Sequence, residues 1–483
     1  MIALGFVIAL TAITAFDRIG GRALIGLAVL LVLLHALFAA YLVVAHPVAI
    51  RSRKRLILLA ILLLLVVTAA RLSVESDRWP PEFVPISLAS MIAVIVFGPR
   101  LAMETTFLLV MDVAIMLRLQ EASAPLSVLA AGAFVAIVLC GRITNRSRIV
   151  KVGLLVGLVQ AVALGASLLL RAPLDDATLA TVFPRLAWTF GHGVIVGFVV
   201  SGSLPFIEAA FGIDTDVSLL ELSNYSEQPL LQNLLIRAPG TYQHSMIVGN
   251  LAEEAARDVE GANPLIARVG GYYHDIGKML KPEYFGENEE VPGSHHRGLS
   301  PTMSALIIAA HTKDGAELGR DHDLPQPILH IIESHHGTSL IQYFYREACD
   351  REGATDVREE TFRYSGPKPQ TKEAGIVMLA DATEAASRSL GDPTSARIKT
   401  LIHKLAMDRL TEGQLDHCEL SFAEIRVIEE AFLRVLAGIV HRRPRYPGAI
   451  SATAPDDAPE APPARPAGPP AKKREDAPAP AGD

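Results

Sequence analysis

Before Gly212 the chain is a succession of long apolar runs separated by short polar or basic loops; after it, apolar positions recur at helical spacing among charged ones. A helix crosses a bilayer in roughly 20 mostly apolar residues, because in hydrocarbon every backbone polar group needs an internal partner. The runs Ala23–Ala45, Leu56–Leu72, Leu101–Leu117, Pro125–Cys140, Val152–Leu170 and Leu186–Phe206 meet that requirement, and the shorter Ile86–Gly98 gains length if it reaches back to Phe83. Met1–Phe16 is also apolar but lacks the basic start and small-residue cleavage site of a secretory signal. It reads as an eighth, marginal span or an uncleaved anchor. So many uncharged runs in succession do not fit the buried helices of a soluble core. The pattern predicts an all-α protein: an N-terminal anchor or extra span over 1–22, a polytopic transmembrane helix bundle over 23–206, a helical connector over 207–240 and a helical soluble domain over 241–448.

The loops set an orientation. His46–Arg55 holds Arg51, Arg53, Lys54 and Arg55, and Gly141–Lys151 holds Arg142, Arg146, Arg148 and Lys151. The alternate loops, Ser73–Pro85 and Arg171–Arg185, carry Glu75, Asp77, Asp175 and Asp176 among fewer bases. With the basic loops inside, the last span delivers everything after Gly212 to the cytoplasm. Within the Leu101–Leu117 run, Glu104 and Asp112 are ionisable groups in hydrocarbon, which demands a partner or a function; a structural pair and a ligand or proton site weigh equally. His35 and His192 carry less weight, since one hydrogen bond satisfies a neutral imidazole.

In the connector, Leu230, Leu231, Leu234 and Leu235 form one apolar stripe suited to packing on the soluble domain. From residue 449 to 483 the chain is rich in Pro and Ala and almost devoid of large apolar residues, so it cannot bury a core. Composition adds limits. A net charge of −7 and a pI near 6.1 give no basic field for a nucleic-acid polymer. Cys140, Cys349 and Cys418 lie far apart with no CxxC pair, which excludes a disulfide framework and a thiolate zinc site and fits a reducing compartment.

The chemistry gathers between Thr241 and Leu390. His244 stands near a helix start in QHSMIVGNLAEEAA, His274-Asp275 in ARVGGYYHDIGKM, His311 after SALIIAA, His335-His336 after ILHIIES, and Asp381 within AGIVMLADATEAA. Each follows or interrupts an apolar helical stretch, where a side chain points into a bundle. One such histidine is more often a satisfied core residue than a ligand. Five histidines and two carboxylates are another matter, because burying that many unpaired polar groups is strongly destabilising. A bound metal removes the penalty, and an imidazole-carboxylate set without thiolate suits Fe, Mn or Zn.

The array of His244, His274-Asp275 and Asp381 resembles that of the HD phosphohydrolase superfamily, and the added His311 and His335-His336 resemble its two-metal members. The strings GTYQHSMIVGNLAEEAA, GGYYHDIGKM, LSPTMSALIIAAHTKDGAELG and ESHHGTSLIQYFY are similar to the seven-transmembrane HD family, over roughly Ala23 to Pro447. That resemblance implies a membrane-anchored cyclic di-AMP phosphodiesterase of a bacterial inner membrane, with a cytoplasmic all-helical HD domain. It implies two divalent transition-metal ions, iron or manganese, the first held by His244, His274, Asp275 and Asp381, the second by His311, His335 and His336, with Asp275 as the bridging catalytic carboxylate. Lys278 is the foremost candidate for a phosphate contact, its other reading being a solvated helix-end lysine; Arg297, Tyr343 and Arg388 follow for phosphate or base. No GYP tripeptide follows His335-His336-Gly337, which disfavours the related cyclic di-GMP subclass. Family members commonly carry a large extracytoplasmic domain after the first span, whereas only DRIGGR separates Phe16 from Ala23, so sensing is expected to fall to the bundle. Rival readings are hydrolysis of another nucleotide, a membrane receptor that binds nucleotide without turnover, and, weakest, a transporter. Oligomerisation of identical chains is left open.

Overall fold

The computed structural model describes residues 21–47, 52–75, 79–117, 123–141, 143, 145–170, 176–289, 295–353, 357–390 and 394–441. The Met1–Phe16 run and the segment from residue 449 lie outside the described residues. Among the described residues the chain is helical throughout, apart from turns and one isolated bridge between Leu340 and Arg363.

Among the described residues seven helices build the apolar half: α1 (Gly21–Ala45), α2 (Arg53–Glu75), α3 (Ile86–Phe97), α4 (Pro99–Met116), α5 (Ser123–Cys140), α6 (Arg146–Leu169) and α7 (Asp176–Phe211). By length and composition α1, α2, α6 and α7 can each cross a membrane. The 12-residue α3 spans only about 18 Å at 1.5 Å per residue. Nine of its residues are buried against α2, α4, α5 and α7, so it runs through the middle of the bundle and not along its outside. It does not reach Phe83. Pro85 precedes its first residue, Val84 is extended, and Pro81–Phe83 forms a separate 3-10 turn, as a proline imposes on the residue before it. Conversely, α7 is longer than the run Leu186–Phe206 and continues through Pro184 and Pro205; neighbouring helices absorb the hydrogen bonds that proline removes.

Leu33 and Leu37 of α1, Leu158 and Val162 of α6, and Trp188, Ile195 and Phe198 of α7 are exposed. Large apolar side chains so placed call for lipid, and the protein is a membrane protein. α6 and α7 meet through glycines: a Cβ on Gly153 would lie 2.6 Å from Gly197 Cα, and one on Gly193 would lie 2.3 Å from Gly157 Cα. Small residues permit such backbone contact between helices in lipid, where packing replaces the hydrophobic drive. α1 docks on α4 through polar contacts. Asp112 finds its partner in His35 at 3.4 Å, both fully buried, while Glu104 accepts from Tyr41 at 2.5 Å and pairs with His46 at 2.6 Å.

At the foot of the bundle, the Lys54 ammonium reaches the chain at Gly212, and Arg146, the first residue of α6, pairs with Glu221. Glu221 belongs to α8 (Asp216–Leu222), which starts with a capping box on Thr215 and is followed by α9 (Pro229–Arg237). Leu230, Leu231 and Leu234 enter one core with Leu219, Val269, Tyr273, Ile328 and Ile332. Leu235 falls off the expected stripe and is 39% exposed, because it lies about 100° around the helix axis from Leu234, at the edge of the buried face.

The remaining helices are α10 (Pro239–Asp258), α11 (Pro264–Tyr273), α12 (Pro301–Asp321), α13 (Gln326–Ser334), α14 (Gln342–Glu352), α15 (Lys372–Arg388), α16 (Ser395–Thr411) and α17 (Phe422–His441). α10, α11 and α15 pack mutually, α13 joins α11 and α15, and α12 lies on α13 and on the 3-10 turn Ile276–Leu280. α10 and α11 touch backbone to backbone, for a Cβ on Gly271 would stand 2.5 Å from Gly249 Cα. The expected capping box forms, with Ser421 N donating to Glu424 at 2.8 Å and Glu424 N to Ser421 Oγ at 3.2 Å. It precedes a helix whose Ile425, Ile428 and Phe432 are buried.

Candidate metal centre

Three helices and two helix ends aim side chains at one point. His244 lies in the second turn of α10, His311 in the middle of α12 and Asp381 in the middle of α15. His274 caps α11 and leads into Asp275, and His335 caps α13 and leads into His336. All are buried except His336, whose side chain is 21% exposed.

The ligand atoms fall into two groups, Asp275 with His311, His335 and His336, and His244 with His274 and Asp381, each within 4.8 Å internally. Asp275 looks both ways. Its Oδ2 lies 3.1 Å from His274 Nε2 and 3.5 Å from His244 Nε2, while its Oδ1 lies 3.3 Å from His311 Nε2 and 3.6 Å from His335 Nε2. His244 Nε2 is also 3.1 Å from Asp381 Oδ1.

The imidazoles are held by their other nitrogen. Nδ1 of His274 faces the Gly271 carbonyl at 2.8 Å, that of His311 the Ile308 carbonyl at 2.6 Å, and that of His335 the Ile332 carbonyl at 2.9 Å. A carbonyl only accepts, so Nδ1 carries the proton and Nε2 keeps a lone pair turned toward the centre. His244 Nδ1 bonds the Glu384 carboxylate, and the ring of His336 stacks on Tyr364 with centroids 4.2 Å apart.

Protonation follows from surroundings. Burial would raise the Asp275 pKa, but His274 and Lys278 hold it well below the carboxylate range; Asp381 is likewise depressed against burial by the His244 hydrogen bond and by His336. Burial pushes His335 down to about 4 and His336 well below its ordinary value. Burial opposes protonation of His244 too, yet Asp381 and Glu384 carry it up to about 9. Charged carboxylates and neutral imidazoles are the states that bind metal, and at His244 an ion must displace a proton.

A divalent ion fits these residues. His274 Nε2 and Asp275 Oδ1 are buried without a hydrogen bond, and Asp275 Oδ2 has only its ion pair with Lys278, which a protein core does not sustain cheaply. The donors are nitrogen and oxygen, the set suited to catalytic zinc, iron or manganese.

Lys278 is not a solvated lysine. Its side chain is only 13% exposed, with the ammonium 2.8 Å from Asp275 Oδ2 and 2.9 Å from Glu287 Oε1, and these acids raise its pKa against the desolvation. Arg297 and Tyr343 line a cavity of about 390 Å³ with Tyr284, His296, Ile308 and Phe344, and Ile308 is the residue that anchors His311 Nδ1. Arg388 lies apart from them, its Nε 3.3 Å from Glu384. Sequence reasoning missed Glu384, Glu287 and Tyr364. Only Glu384 left a signal, standing three residues after Asp381 on the same face of α15.

Residues 22–215 match the family model described as a 7TM receptor with intracellular HD hydrolase, and residues 241–386 match the HD domain. The chain is 43% identical over 308 residues to the cyclic-di-AMP phosphodiesterase PgpH of Listeria monocytogenes serotype 1/2a (strain 10403S), covering 63% of this chain and 42% of that protein. It is 42% identical over 314 residues to PgpH of Bacillus subtilis (strain 168), covering 64% and 43%. The chain thus spans about two fifths of the length of these curated relatives. The crystal structure of the L. monocytogenes PgpH HD domain in complex with cyclic-di-AMP is 47% identical, covers 45% of this chain and 100% of that one, and has a TM-score of 0.43.

Proposed function

The chain belongs to the seven-transmembrane HD family, and from that premise we propose that it is a membrane-bound phosphodiesterase that hydrolyses cyclic di-AMP to linear pApA. The observation that carries the reading is Asp275, whose two oxygens face two separate groups of imidazole lone pairs, Oδ1 with no hydrogen bond and Oδ2 with only the Lys278 ammonium beside it. Asp275 is the shared carboxylate, His244, His274 and Asp381 complete one ligand group, and His311, His335 and His336 complete the other. Two bound ions, iron or manganese, supply Lewis acidity and an activated water at neutral pH. The protein's own share is positional. Backbone carbonyls fix three imidazoles, Glu384 fixes a fourth, and the Lys278 ammonium beside Asp275 places a positive charge where a phosphodiester approaches. Arg297 and Tyr343 in the neighbouring cavity are suited to phosphate and base; Arg388 serves Glu384 first.

The HD half lies on the cytoplasmic side of a bacterial inner membrane. Support comes from the basic starts of α2 and α6, since Lys54 and Arg146 meet the chain where it leaves the bundle. Reporter fusions after Arg55 and Lys151 should read cytoplasm and those after Asp77 and Asp176 the outside; the reverse pattern overturns the orientation.

The function is tested on the purified full chain loaded with Mn²⁺ or Fe²⁺ and offered cyclic di-AMP, other cyclic dinucleotides and mononucleotides. Release of pApA, with cyclic di-AMP preferred, is the expected result. Preference for another nucleotide would reassign the substrate, and saturable binding by metal-loaded protein without turnover would make it a receptor.

A further inference from the structure

A short run of directional bonds joins the membrane bundle to the metal corner. Arg146 donates Nε and Nη2 to the two carboxylate oxygens of Glu221 at 2.6 and 2.8 Å. Glu221 adjoins Leu222, the last residue of α8, and the Leu222 carbonyl accepts a hydrogen bond from Tyr273 Oη at 2.9 Å. Tyr273 is the last residue of α11, fully buried, and His274 and Asp275 follow it directly.

Each link transmits position. A bidentate guanidinium–carboxylate pair fixes orientation as well as distance. The last carbonyls of a helix lack intrahelical partners, so Leu222 depends on the Tyr273 hydroxyl. The Tyr273 ring sits in the core that contains Leu219, Leu231 and Ile276, and the contact of Gly271 with Gly249 leaves α11 no slack on its other side. Arg146 is also 3.9 Å from Glu208 at the end of α7, so the feet of α6 and α7 act on α8 together.

We propose that Arg146, Glu221 and Tyr273 are positioning residues for the His274–Asp275 corner, through which the membrane bundle sets the spacing of the two ligand groups; what this says about turnover rests on the phosphodiesterase reading. A movement of α6 shifts α8 through the ion pair, and α8 shifts α11 through one carbonyl. Asp275 faces both ligand groups, so a displacement there alters both at once.

The test uses the full chain in phospholipid vesicles with Mn²⁺ and compares Arg146→Gln, Glu221→Gln, Tyr273→Phe and the charge swap Arg146→Glu with Glu221→Arg. Manganese per chain, kcat and KM for cyclic di-AMP, and amide hydrogen exchange over residues 216–222 and 264–276 are read together. The three single variants should keep their manganese and KM, lose kcat by about fivefold, the low end of coupling between distant sites, and exchange faster over both segments. The charge swap should restore exchange and kcat. Arg434→Gln, which breaks an exposed pair with Asp258, should change neither. Unchanged exchange over 264–276 in Arg146→Gln and Glu221→Gln, or a swap that restores nothing, would overturn the proposal. If the wild type turned over no cyclic di-AMP, the phosphodiesterase reading would fail while exchange still decided the coupling.

Discussion

In the bundle, His35 and Asp112 face each other at 3.4 Å, fully buried, and among the described residues no third His, Cys, Asp or Glu joins them in a ligand group. In the HD half, two groups of donors lie on either side of Asp275, whose oxygens face both, and three of the histidines have already committed their Nδ1 to backbone carbonyls. Both sets are costly to bury. The pair brings one imidazole nitrogen to one carboxylate at 3.4 Å, and it docks α1 on α4. The larger set cannot pair off in this way, because lone pairs of several imidazoles pointing at one spot repel unless a cation sits between them. The number of converging lone pairs, not burial, separates structural glue from a coordination site.

The largest effect that bears on this comparison is expected from Asp275→Ala. Removing the one carboxylate that serves both groups should lose both ions and abolish turnover; metal analysis that finds both retained would disprove the shared role. Next come the two adjacent histidine pairs. His335→Ala should lose one ion and nearly all turnover. His295 and His296 lie in a turn, outside both ligand groups, with His296 Nε2 on the Tyr284 carbonyl at 2.9 Å and its ring 4.9 Å from that of Phe344. His296→Ala should keep both ions and change KM through the cavity that it lines, as metal-to-protein ratios and Michaelis curves would show.

Glu384→Gln should weaken metal binding by about 10- to 100-fold, the usual cost of losing a carboxylate behind a ligating histidine, readable by competition with a chelator. A pH series sharpens the same point. In protein stripped by chelator, the folded pKa of His335 is about 4, below its ordinary 6.5, so its contribution to stability is full above 6.5 and is lost as pH falls toward 4. His244, raised to about 9, contributes below 6.5 and loses that contribution as pH rises through 9. Melting temperature should therefore peak near neutrality without metal, and metal loading should strengthen from pH 6.5 to 9 as His244 gives up its proton. A melting temperature flat from pH 4 to 6.5 would contradict the His335 assignment, and one flat from pH 6.5 to 9 the His244 assignment. The smallest effect belongs to the bundle: Asp112→Asn should destabilise the protein by about 0.6 kcal/mol, typical of an interhelical polar contact in lipid, and leave metal content and turnover unchanged. Loss of turnover there would give the membrane pair a functional role and erase the contrast.

The sequence alone determined the all-helical membrane half, the helical domain after it and the seven converging residues. Apolar run length reports directly on bilayer crossing, and a histidine or aspartate that breaks an apolar helical stretch has few places to point but inward. Partners across space were settled only by tertiary structure. That Asp112 meets His35, that Lys278 lies between Asp275 and Glu287, that Glu384 holds His244 and that Tyr364 underlies His336 depends on how separate helices are laid side by side, and local patterning carries no record of that. The same holds for the short α3, buried at the centre of the bundle, and for Leu222, whose carbonyl gained its meaning once Tyr273 reached it from a helix 51 residues further on. Periodicity fixes which face of a helix turns inward; only packing decides what waits there.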